Sequence, residues 1–391
     1  MLPDRAEPAS ETPVAGSRAT RSPFIDIARS VAALLVVYVH VFVVWLRAGH
    51  GRSTPLTDAV TAVVSRPLQL GLQDVGQLAM PMFFLVSGFA MTPIAVRRGV
   101  GRFAVNRFFR IVPLLVVAVL AAAAALTAGL HPLTSGVPGA VTPGAVIANI
   151  TLTNYLADPY SALLGVTWSL LVEVIFYTLL MAAVPLLRRV PRLAIAGELT
   201  VVAVVFLPYD QFGTTYRMFA AYTALATIPL IGQIVWAAHT RRIPAWLAGC
   251  YGVIAWLLLD WSFIARAGRF DDEGYLAAVA ITILLFLVGI FADPYLRCRP
   301  IWTFLSERLY SIYLVHGIAA FLVLDALYRA VPLWLAVPAA LAGTLAAVEV
   351  AYRLVERPTH QFGRRLGRPR RTPSAGDHRA KAVPARESVP S

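Results

Sequence analysis

Arg29 and His40 stand eleven residues apart in the apolar run from Phe24 to Leu46, and both side chains can handle charge. At about 100° per residue, that spacing overshoots three full turns by roughly 20°, so the two groups share one helix face about 16 Å apart along the axis. A charged group at a bilayer centre costs a few kcal/mol, which makes an intramembrane ionisable residue a functional candidate by default. A guanidinium grips carboxylate or phosphate through paired hydrogen bonds, whereas a neutral imidazole takes a proton from a hydroxyl. The pair therefore suits anion binding at one depth and general-base chemistry at another. Taken singly, each has a plainer explanation: an arginine reaching to the headgroups, and a histidine satisfied by neighbouring helices. Asp26, three residues before Arg29, falls near the same stripe.

Other apolar runs also carry polar groups. Ser87 and Gly88 sit side by side in Phe83-Phe84-Leu85-Val86-Ser87-Gly88-Phe89, where small residues allow close helix approach. Arg107 and Arg110 point the same way at i and i+3 and suit either phosphate binding or headgroup anchoring. Thr167-Trp168-Ser169 opens a run holding Glu173, and a carboxylate two turns into such a helix must meet a cation or exchange a proton. Trp168 also fits an interfacial aromatic belt. Ser311, Tyr313 and His316 form a further cluster, in which a lone histidine is more often a packing residue than a catalyst. The chain has no Gly-rich phosphate loop, HExxH pair, Cys/His metal spacing or Gly-x-Ser-x-Gly elbow, so metal and serine-hydrolase mechanisms have no support.

The elements that position these groups follow from composition. The 391 residues are 58% hydrophobic and 14% charged, with a mean hydropathy of +0.68, where an ordinary soluble domain is nearer 25% charged. This predicts an all-α polytopic integral membrane protein. About ten stretches are long enough to span, near 24–46, 72–96, 111–130, 166–187, 193–208, 218–238, 246–264, 274–291, 309–329 and 332–354. The run 193–208 is short and holds Glu198; 143–163, with Asn149, Asn154, Asp158 and Pro159, reads as interfacial or re-entrant. The transmembrane unit covers 23–363. The ends, 1–22 and 364–391, are rich in Pro, Ala, Ser and Arg and read as disordered cytoplasmic tails. The first 23 residues do not fit a cleaved signal peptide, so the first span is expected to be retained.

The net charge of +13 is not a nucleic-acid signal. Its arginines concentrate in alternate short loops, at 97–110, 188–192, 241–242 and 297–308 and in the C-terminal tail, which places both termini in the cytoplasm. Cys250 and Cys298 fall in a span and a cytoplasmic loop, where no disulfide is expected.

In order along the chain, these pieces resemble the membrane-bound acyltransferase family 3. The resemblance runs from about Phe24 to Phe362 and rests on Asp26-x-x-Arg29 with His40, Phe83-Phe84-x-x-Ser87-Gly88-Phe89, Arg107-x-x-Arg110, Trp168-Ser169-Leu170-x-x-Glu173, Ser311-x-Tyr313-Leu314-x-His316, and Glu356-x-Pro358. Ile27 departs from the glycine that many members carry after the aspartate. The resemblance implies acyl transfer from acyl-CoA, most commonly acetyl-CoA, to a hydroxyl of a sugar or glycoside acceptor at the cell membrane. It implies that Arg29, Arg107 and Arg110 hold the CoA phosphates, and that Ser87, Trp168, Ser169, Tyr313 and His316 contact substrate. It further implies His40 as general base, with Glu173 orienting the imidazole or taking the proton; direct attack and an acyl-histidine intermediate both remain open. The acceptor is expected to be an envelope glycan or glycolipid, with a small glycosylated metabolite such as a macrolide as the second choice. The rival reading is a proton-coupled secondary transporter, against which stands the lack of any internal repeat of the Arg29-to-His40 pattern. A third is a catalytically silent membrane scaffold that keeps the packing motifs without turnover, and nothing in the chain requires it.

Overall fold

The computed structural model describes residues 22–71, 73–267, 274–297 and 299–366. Most of both expected tails, and Cys298, lie outside these residues. Helix α1 (Pro23–Tyr38) starts at Ser22, whose hydroxyl accepts the Ile25 N–H, with Pro23 in the first turn where a missing N–H costs nothing. It runs on as a π-helix, Val39–Ala48, that begins one residue before His40. The π form is rare and recurs at functional sites.

A short α2 (Pro55–Val60) and a 3-10 turn, Asp74–Leu78, lead into α3 (Ala79–Arg98). Gly99, at φ +80°, turns the chain into α4 (Val100–Thr127). The segment up to residue 167 holds β1 (Ser135–Gly136), α5 (Pro143–Ile150) and β2 (Ser161–Ala162), the two strands forming one short antiparallel ladder. Then follow α6 (Trp168–Arg189), α7 (Pro191–Phe206), α8 (Thr214–Leu225), α9 (Thr227–His239), α10 (Ala245–Ile264), α11 (Tyr275–Ala292), α12 (Pro300–Leu327), α13 (Leu333–Ala351) and, after a π-helical turn, α14 (Arg357–Leu366). Among the described residues, nine helical stretches are long and apolar enough to cross a membrane, with α8 and α9 counting as one. The protein is an all-α, multi-pass membrane protein.

The 16-residue α7 is the shortest of the expected spans, about 24 Å at 1.5 Å per residue against a hydrocarbon core of about 30 Å. Its contacts nevertheless run from one end of the bundle to the other. At its start the Arg192 carbonyl accepts the Tyr251 hydroxyl of α10 at 3.0 Å; near its finish the Val205 carbonyl accepts the Tyr216 hydroxyl of α8 at 2.8 Å. Helices α6 and α7, the joined α8–α9 stretch and α10 therefore alternate in direction. The basic loops gather at the end where α1 begins, with Arg188 at the foot of α6 donating to the Val96 carbonyl of α3 at 2.8 Å.

Close crossings lock the interior. A Cβ on Gly88 would lie 1.8 Å from the Pro229 carbonyl oxygen, and one on Gly232 would lie 2.1 Å from that of Leu85, so α3 and α9 touch backbone to backbone. That contact fixes the rotation of α3 and hence the aim of Ser87. Helix α1 is pinned to α12 by Ser306, which donates to Asp26 at 2.8 Å, and by Ser30, which donates to the Trp302 carbonyl at 3.0 Å.

Residues 143–163 build a cap over the bundle. Buried Asn149 accepts the Leu163 N–H at 2.9 Å, and Asn154 donates to the Ser161 carbonyl at 3.1 Å. Just before this segment in the chain, the Leu133 N–H donates to the Gly317 carbonyl of α12 at 3.0 Å, and the Leu133 carbonyl accepts the Gly165 N–H at 3.0 Å. Asn149 and Asn154, two of the polar residues by which the segment reads as interfacial or re-entrant, thus serve loop closure.

Candidate active site

The first chamber lies toward the arginine-rich end, between α1, α3, α4, α6 and α12. It holds about 50 Å³, and its wall includes Arg29, Ser87, Arg107, Arg110, Glu173, Tyr177, Tyr310 and Tyr313. Helical spacing brings the arginines here: Arg107 and Arg110 lie one turn apart on α4, facing Arg29 on α1. None of them forms an ion pair among the described residues. Arg107 instead stacks over Phe103 and Tyr177, at 5.7 Å and 5.9 Å from their ring centres, and its buried Nε has no partner there. Cations gathered in a partly desolvated site without carboxylate pairing form a receptor for an anion.

Glu173 belongs to this chamber. Its Oε1 accepts the Ser87 hydroxyl at 2.9 Å and the Tyr177 hydroxyl, one turn further along α6. It makes no direct hydrogen bond to His40, the imidazole it was expected to orient or relieve of a proton; α6 aims it at Ser87 of α3 and at Tyr177.

The partner of His40 is His316. Its Nε2 lies 3.0 Å from His40 Nδ1, with ring centres 5.0 Å apart. Each histidine also sets its Nδ1 2.8 Å from the carbonyl one turn back on its own helix, Val36 for His40 and Ile312 for His316. A carbonyl only accepts, so the network assigns both Nδ1 atoms as protonated. In the neutral tautomer, His316 Nε2 is then an acceptor that shares the single His40 Nδ1–H with the Val36 carbonyl, and His40 Nε2 keeps an uncommitted lone pair. That nitrogen has no hydrogen-bond partner among the described residues, and its ring lines the second chamber.

This second chamber holds about 330 Å³ beneath the cap. Its wall combines aliphatic residues with Gln73, Gln77, Thr134, Ser135, Tyr160, Trp168, Tyr222 and Tyr275, and carries no Asp, Glu, Lys or Arg. Tyr313 lines both chambers. Its ring stacks on Phe83 at 9° with centres 6.3 Å apart, and its hydroxyl is held by Ser169 at 2.7 Å and by the Val166 carbonyl. An immobilised aromatic ring therefore separates the arginines from the histidine.

Of the residues expected to contact substrate, Ser87 lines the first chamber, Trp168 the second and Tyr313 both. Ser169 and His316 line neither; Ser169 is bonded to Tyr313 and His316 to His40. Glu356, read as a charge at the membrane face, is buried and accepts the Ser311 N–H and hydroxyl at 3.1 Å and 2.6 Å. Sequence reading missed Tyr177 and Tyr310. The spacing Glu173-x-x-x-Tyr177 carried a signal for the first, and nothing local marked the second.

No solved structure matches this chain. It is 27% identical over 310 residues to the exopolysaccharide production protein ExoZ of Rhizobium meliloti (strain 1021), an alignment covering 74% of this chain and 91% of that protein. Residues 22–353 match the family described as an acyltransferase domain. That match takes in Arg29, His40, both chambers and the Tyr313 partition, and the chain belongs to acyltransferase family 3 as a multi-pass membrane acyltransferase.

Proposed function

We propose that the protein moves an acyl group, in the commonest case acetyl, from cytoplasmic acyl-CoA to a hydroxyl of an envelope polysaccharide or glycolipid, with His40 as general base. The observation that carries this reading is that His40, with its Nε2 uncommitted, lines a chamber whose wall has no Asp, Glu, Lys or Arg, and that this chamber shares Tyr313 with an arginine-lined one. Arg29, Arg107 and Arg110 suit the phosphates of CoA, and the basic loops favour the cytoplasmic side of a cell membrane for that end, the side on which acyl-CoA is found. A neutral chamber with amides, hydroxyls and aromatic faces suits a sugar, which offers many hydroxyls and an apolar ring face. The printed name of the relative, a protein of exopolysaccharide production, points the same way.

In this reading His40 Nε2 takes the acceptor hydroxyl proton as the oxygen attacks the thioester carbonyl. A C–O bond forms, the C–S bond breaks, and the imidazolium returns its proton to the departing thiolate. His316 is a positioning residue: its Nε2 accepts from His40 Nδ1 and holds the tautomer. The test is acyl-CoA consumption by membranes with and without the protein, together with mass spectrometry of envelope glycans and secreted metabolites for a lost acyl mass. Wild type releases free CoA and adds the acyl mass, and His40→Ala does neither at equal protein level. Full transfer by His40→Ala would overturn the mechanism, and an acyl mass found only on a secreted glycoside would move the acceptor.

A further inference from the structure

Beyond the arginine chamber lies a vestibule of about 500 Å³ at the basic end, and one of its walls is α14. Arg357, His360, Gln361 and Arg364 all line it; the positions i, i+3, i+4 and i+7 form a single helix face. Behind that face, Phe362 packs edge-on against Phe109 of α4 with centres 5.2 Å apart. A Cβ on Gly363 would come within 2.7 Å of the Phe109 side chain. The helix is thus held against α4 with its basic face turned inward. Arg29 and Arg110 line both this vestibule and the arginine chamber, so the two spaces are continuous in cation.

Two carboxylates, Glu307 and Glu356, line the vestibule against five arginines, Arg29, Arg110, Arg308, Arg357 and Arg364, so the wall keeps a positive excess. Glu349 is committed to Arg308, at 2.5 Å and 3.1 Å, and to Arg353; Glu356 is committed to Ser311. Arg357, His360 and Arg364 have no ion-pair partner among the described residues. The matched family segment stops at residue 353, so this helix face lies beyond it. A vestibule about ten times the volume of the inner chamber, with cations at its depth and again at its rim, is shaped for a ligand carrying two separated anionic groups rather than one.

We propose that the α14 face of Arg357, His360 and Arg364 forms an outer subsite for a phosphomonoester that the donor carries apart from its pyrophosphate. The inference rests on the acyl-CoA reading above, in which the pyrophosphate meets Arg29, Arg107 and Arg110. A phosphomonoester carries close to two charges at neutral pH and offers three acceptor oxygens, which suits guanidinium groups presented one helix face apart.

The experiment compares acetyl-CoA with acetyl-dephospho-CoA as donors in native membranes. Wild type is expected to show a KM about tenfold or more higher for the dephospho donor, the loss of one charge-assisted contact, at similar kcat. In Arg357→Gln/Arg364→Gln the KM for acetyl-CoA rises to the dephospho value while that for the dephospho donor stays put. Equal KM values in wild type, as would follow if the rim held a lipid headgroup instead, or a preference that survives the double substitution, overturn the proposal. Use of neither thioester removes the donor reading and this subsite with it, whereas equal use removes the subsite alone. If the double variant does not accumulate, the wild-type comparison decides.

Discussion

The arginine chamber and the histidine chamber are both walled by α1 and α12 and meet at Tyr313, yet they are opposite in character. One holds about 50 Å³ and concentrates guanidinium groups around a single carboxylate; the other holds about 330 Å³ and exposes no formal charge. Burying a charge is tolerable where a ligand of opposite sign completes it, and the basic end of the bundle is where the chain can place arginines at least cost. A general base has the reverse need, because a nearby cation or carboxylate would change the proton affinity on which it depends. Eleven residues of helix separate these demands, and the wall between them is one stacked tyrosine ring.

Separate substitutions test that division. His40→Ala is expected to lower kcat at least a thousandfold with the donor KM unchanged, measured as CoA release at saturating acyl-CoA. A large shift in donor KM instead would place His40 in donor binding. Arg110→Gln is expected to raise donor KM ten- to a hundredfold and to leave kcat nearly intact, the reverse signature. His316→Leu is expected to cost about tenfold or more in kcat at constant donor KM, with partial rescue by His316→Gln, whose amide oxygen can accept from His40 Nδ1. Loss of folded protein in both variants would reduce His316 to a packing residue. Glu173→Gln sharpens the comparison: bonded to Ser87 and Tyr177, it is expected to change kcat less than tenfold, and a loss as deep as that of His40→Ala would return the carboxylate to the proton path. The smallest effect belongs to Tyr313→Phe, which keeps the ring and loses only the bonds to Ser169 and Val166. Transfer should fall a few-fold, while CoA release without acceptor rises as the partition loosens.

Much of this was legible in the linear chain. Long apolar runs announced the helices, and the Arg29-to-His40 interval announced a shared face, since helical periodicity is a local property. Ser87-Gly88 announced close packing; the crossing found at Gly88 also explains how Ser87 comes to reach Glu173. The sequence was silent where a contact depended on a neighbour far along the chain. Glu173 looked like the companion of His40 because it was the prominent buried carboxylate, but the rotation of α6 decides what it faces. The C-terminal arginines looked like a topology signal, and only the packing of Phe362 and Gly363 on Phe109 shows which of them turn inward.

By itself, the sequence determined the class of protein and the spacing of Arg29 and His40 along one helix, because hydropathy and helical pitch act over tens of residues and need no partner. The tertiary structure alone decided that His40 meets a histidine 276 positions away, that Tyr313 lines both chambers, and that α14 forms a wall of the basic vestibule. Those outcomes rest on how helices rotate against one another, and rotation is fixed by side chains from several helices packing at once.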